Sequence, residues 1–81
     1  MSKVQISPTP AHSFVSIETD LVDEGILKIF DGYGKLMNQL SIPSGKNVDE
    51  IEVFDWVNGM YYFELIVAEE SIESGKFMVI N

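Results

Sequence analysis

Across residues 60–68 every second side chain is apolar: Tyr61, Phe63, Leu65 and Val67. This period of two restricts the chain more than any other feature. Side chains alternate across a strand but recur every 3.6 residues round a helix, so the stripe is a strand with one face turned to a core. Met60, Tyr62 and Ile66 make the other face partly apolar as well, which is expected of a central strand. The same alternation returns elsewhere, punctuated by Gly, Pro, Asn and Asp roughly every eight to twelve residues. It predicts strands at residues 4–6, 14–18, 26–30, 36–42 and 50–53, and a last one running through 76–80. No segment has the periodicity of a helix.

The punctuation is as informative as the strands. The prolines of Ser7-Pro8-Thr9-Pro10 cannot donate to a ladder and hold the chain extended. An acidic turn is expected at 20–25, and a turn near Glu69-Glu70 leads into the last strand. Asp31-Gly32-Tyr33-Gly34 is a hairpin connection whose two glycines suggest backbone at positive φ, and Pro43-Ser44-Gly45 closes the fourth strand. Residues 54–59 break the alternation and read as a compact crossing loop with Trp56 turned into the core. Glu50-Ile51-Glu52-Val53 places Ile51 and Val53 inward and both glutamates in water. Seven strands and no crossover helix argue an all-β fold, a seven-stranded antiparallel immunoglobulin-like β-sandwich.

Charge and inventory narrow the function. The 81 residues fit one domain, and 46% hydrophobic content supplies a core without staples, which matters because there is no cysteine. Thirteen acidic residues face five lysines, with no arginine and a net charge of −8. Such a surface repels phosphate, which argues against nucleic-acid reading and against an anionic membrane. No stretch is apolar enough to insert in a bilayer, and the start at Met1-Ser2-Lys3 is not a secretory signal, so any such signal is expected upstream.

His12 is the only histidine, and no serine sits in a nucleophile-elbow pattern, so no enzyme activity is expected. Gly32-Tyr33-Gly34-Lys35 joins two strands and lacks the following helix of a phosphate loop. The carboxylates at Asp20, Asp23 and Glu24, and those at Asp49, Glu50 and Glu52, follow no calcium-loop spacing and read as solvated, so neither metal nor cofactor is expected. Trp56, Tyr61, Tyr62 and Tyr33 raise a sugar-stacking alternative. Trp56 and Tyr61 are expected in the core, whereas Tyr33, at a turn tip, is expected in solvent.

The order of the motifs carries further information. Pro8-Thr9-Pro10-Ala11 comes first, then Asp31-Gly32-Tyr33-Gly34-Lys35, then Ile51-Glu52-Val53 with Trp56 and Gly59-Met60-Tyr61, and last Lys76-Phe77-Met78-Val79. In this succession the chain resembles the type A C-terminal sorting domain of type IX secretion cargo. Thr9 stands where that family usually has Asn, and Val79-Ile80-Asn81 lacks the second basic residue many members carry. The resemblance implies a non-catalytic domain, residues 4–81 with 1–3 as linker, attached to a larger cargo protein. It implies export through the periplasm to the cell surface or beyond, recognition by an outer-membrane translocon, and removal by a sortase-like protease. On this reading the partner is met by Pro8, Pro10, Ala11, Gly34, Lys35, Lys76 and Phe77, while Trp56, Gly59 and Tyr61 maintain the fold. The alternative is a carbohydrate-binding or adhesive accessory module of a secreted protein.

Overall fold

A computed structural model describes residues 2–81. Its seven strands are β1 (Lys3–Ser7), β2 (Phe14–Leu21), β3 (Gly25–Phe30), β4 (Leu36–Ile42), β5 (Gly45–Glu52), β6 (Gly59–Val67) and β7 (Glu70–Val79). They form two antiparallel sheets, one in the order β1-β2-β5 and the other β4-β3-β6-β7. The fourth strand lies beside the third, which separates this arrangement from the constant-type immunoglobulin order, where it joins the opposite sheet. The sheets enclose one core. Val15, Ile17 and Leu21 of β2 and Ile51 of β5 meet Leu27 and Ile29 of β3, Tyr61 and Leu65 of β6, and Phe77 and Val79 of β7. These are the inward positions that alternation assigns. Thr19 is the one buried polar side chain among the described residues, and its Oγ1 has no hydrogen-bond partner.

Several elements differ from the expected bounds. β2 continues to Leu21 and confines the acidic turn to residues 22–24, because Thr19 and Leu21 keep the inward alternation beyond Ile17. β5 starts at Gly45 instead of residue 50, pairing with β2 from Leu21↔Gly45 to Phe14↔Glu52. β7 likewise starts at Glu70, six residues early, carried by its ladder with β6. As expected, β6 is central, flanked by β3 and β7. Its Tyr62 face nonetheless has no layer over it, since there are only two sheets.

Every strand runs opposite to the one before it, so each connection falls at one of two poles. Residues 22–24, 43–44 and 68–69 gather at one pole. The proline turn, the β3–β4 hairpin, the β5–β6 loop and the end of β7 gather at the other, along a molecule of 34 × 23 × 16 Å.

The β6–β7 connection is a two-residue turn. Ala68 and Glu69 both have positive φ, 52° and 65°, the pattern of a type I′ hairpin, which asparagine and glycine adopt more readily. Replacing Ala68-Glu69 with Asn-Gly is expected to raise stability by about 1 kcal/mol. Urea unfolding checks this: the midpoint moves up while the slope stays constant.

Candidate functional site

The β3–β4 hairpin is built around the carboxylate of Asp31. Asp31 Oδ1 accepts hydrogen bonds from the backbone N–H of Tyr33 at 2.8 Å and of Lys35 at 2.9 Å. The Gly34 N–H donates to the Asp31 carbonyl at 3.1 Å, and the Asp31 N–H to the Lys35 carbonyl at 2.9 Å. This is a type I turn closed by a bulge residue, and Gly34 takes the left-handed position at φ +87°. Gly32 does not adopt positive φ, so one glycine and not two meets the turn's demand. The spacing Asp-x-x-Gly-Lys thus has a local cause. It leaves the Lys35 side chain and Tyr33 in solvent.

The β5–β6 loop is held by Tyr61. Its ring is buried, and its O–H donates to the Val57 carbonyl at 2.5 Å, four residues upstream, the tyrosine corner of immunoglobulin-like sandwiches. Trp56 packs on one side of Tyr61 with ring centroids 4.9 Å apart, and Phe77 stacks on it at 6.0 Å. Trp56 is only half buried and sits at the rim of the core, short of the interior position expected for it. Gly59 enters β6 at φ +153°, a conformation that side-chain-bearing residues rarely take. Burial pushes the Tyr61 phenol up from its ordinary value, and the nearby negative charge of Asp31 adds to this.

The proline turn and the end of β7 are tied together. Both Ser7–Pro8 and Thr9–Pro10 are cis, and the segment bends instead of running extended. Pro8 and Pro10 are exposed. The Ala11 N–H donates to the Met78 carbonyl at 2.7 Å, and the Ile80 N–H to the Ala11 carbonyl at 2.9 Å, forming a parallel bridge. His12 Nδ1 lies 2.6 Å from the Ile80 carbonyl. Asn81 completes the tie: its N–H donates to Asn58 Oδ1 at 2.8 Å, and its Nδ2 to the carbonyls of Val53 at 3.0 Å and Trp56 at 3.2 Å.

The residues singled out in the sequence therefore meet at one pole in two layers. Pro8, Pro10, Gly34, Lys35 and Lys76 are on the surface. Ala11 and Phe77 are in the core, where they set the position of the exposed ones, since no approaching molecule reaches their side chains. Between the hairpin and the β5–β6 loop lies an open cleft of about 640 Å³, lined by Asp31, Tyr33, Lys35, Trp56 and Asn58 among others. Sequence reasoning placed Asp31 in the hairpin motif without giving its carboxylate a task, and assigned no part to Asn58 or Asn81. The Asp31 turn has a readable local signal in its side-chain-to-backbone bonds. The Asn58–Asn81 pair spans 23 residues and has none. Among the described residues no group of three or more His, Asp or Glu is placed to hold a metal ion.

The model of the family described as "Secretion system C-terminal sorting domain" matches residues 5–81. The chain belongs to that family. No curated protein matches it. The match covers every strand but the first residues of β1, and it assigns this sorting domain to type IX secretion, hence to a secreted protein found at the cell surface or outside the cell. It also associates the domain with that machinery and with an attached cargo.

Two consequences of the sorting domain's geometry are measurable. No atom crowds Gly34, so Gly34→Ala is expected to cost about 1–2 kcal/mol through backbone conformation alone, and Gly34→Asn less, by chemical denaturation. Because the Tyr61 pKa is raised on folding, its contribution to stability is complete below the ordinary tyrosine value of about 10 and is lost as pH rises through that value toward the folded one. Tyr61→Phe is expected to cost about 1 kcal/mol at neutral pH and to remove this alkaline loss. Phenolate absorbance should show Tyr61 ionising above the ordinary tyrosine value.

Proposed function

We propose that this domain is a non-catalytic address, read at the outer membrane by the type IX translocon through the pole that carries its motifs, and then removed from its cargo by a sortase-like protease. The observation that supports this reading is convergence. The proline turn, the Asp31–Lys35 hairpin, the Gly59-Met60-Tyr61 corner and the Lys76-Phe77 end lie far apart in sequence, yet the topology brings all four to one pole. Pro8, Pro10, Gly34, Lys35 and Lys76 form the part of that pole open to a receptor, with Trp56, Gly59, Tyr61, Ala11 and Phe77 as its support. Rigid turns suit such a role, because a partner meets a surface already ordered and little conformational entropy is lost on binding.

Fusion of residues 1–81 to a reporter directed to the periplasm, in a cell that has this secretion system, tests the reading. Surface delivery of the reporter is expected. Retention in the periplasm, while a known sorting domain delivers the same reporter, rules it out.

A further inference from the structure

The outer face of the β4-β3-β6-β7 sheet is apolar where nothing covers it. At the motif pole Met60 pairs with Met78, and one step along Leu36, Phe30, Tyr62 and Lys76 stand side by side across all four strands. Leu36, Tyr62 and Met78 are 47%, 45% and 37% exposed. Contiguous apolar surface of this kind marks an interaction site more often than scattered exposed residues do, and methionine with aromatic side chains is typical of adaptable contacts.

Charge identifies the partner. Lys28 lies in the next row, Lys76 ends the apolar row, and Lys35 immediately precedes Leu36, so three of the chain's five lysines border this patch. On the outer face of the other sheet, the half nearest the same pole carries Glu50 and Glu52 and no lysine. A cationic rim on an otherwise acidic molecule complements carboxylates opposite. An anionic bilayer would meet the lysines but also the whole acid excess. A second copy, face to face, would set this lysine rim against its own equivalent, with only Glu64 within the patch to answer it.

We infer that this face, Phe30, Leu36, Met60, Tyr62 and Met78 with Lys28 and Lys76, docks onto an apolar protein surface rimmed by carboxylates on the export receptor. The inference rests on the sorting role and adds a second contact region, reached around the edge from the motif pole. It assigns Lys76 to both.

The test compares surface delivery of the reporter by the wild type, by Tyr62→Ser with Met78→Ser, by Lys28→Glu with Lys76→Glu, and by the control Val48→Ser on the opposite sheet, away from the motif pole. All the substituted side chains lie on outer faces, and thermal melts of the purified domains confirm folding. Delivery by both face variants is expected to fall about tenfold, the size of a lost hot spot, with the control unchanged. A photoreactive residue at position 62, but not at 48, should cross-link to an outer-membrane component of the machinery. Undiminished delivery by the face variants overturns the proposal while leaving the sorting role intact. A wild type that is not delivered removes the sorting role itself, and the proposal with it. Binding of the wild type to phosphatidylglycerol–phosphatidylcholine vesicles, or a dimer in sedimentation equilibrium abolished by Tyr62→Ser, overturns it in favour of lipid or a second copy.

Discussion

The Tyr61 hydroxyl on the Val57 carbonyl is the contact from which the rest of the motif pole is built. It joins two roles in one side chain: the ring fills the core between Trp56 and Phe77, and the polar tip fixes a loop that has no ladder of its own. With the loop fixed, the carbonyls of Val53 and Trp56 are presented to Asn81, and the end of β7 is drawn against the proline turn through Ala11 and His12. Each later contact takes its geometry from the one before. A buried tyrosine is thereby as important to the pole as any exposed residue.

This arrangement explains why a domain with so little chemical inventory carries so regular a set of motifs. The glycines, prolines and aromatics of the family pattern are shaping residues. Gly34 admits a left-handed turn, Asp31 ties its amides, and Ala11, buried in the core, bridges to β7 through its backbone. Lysine side chains, proline rings and the Tyr33 ring project outward. On the proposed reading, recognition by such a surface depends on form and on a few charges.

The strands that bury apolar residues on alternate positions were legible in the sequence: Val15 and Ile17, Leu27 and Ile29, Ile51 and Val53, Tyr61 and Leu65 all point inward as alternation requires. The first half of β5 was not. Its inward positions are Asn47 and Asp49, which line the open side of the sandwich, so no apolar period marks it as a strand. The first half of β7 is similarly polar, Glu70 to Ser74, and is extended because β6 supplies a ladder. For the site, the Asp31–Lys35 hairpin followed from local turn chemistry. The contacts of Asn58, Asn81 and His12 did not, since they join residues with no fixed spacing. The burial of Phe77 lay within reach of alternation, because Phe77 and Val79 share a face, but the resemblance drew attention to it as a surface residue instead.

The up-and-down course of the strands has one more effect. β1 runs from the plain pole toward the motif pole, so a polypeptide joined ahead of Lys3 leaves from the far end of a 34 Å body. The domain is its own spacer. On the proposed reading, a bulky passenger stands behind the motif pole and not across it, and proteins of very different girth could carry the same label without shading it.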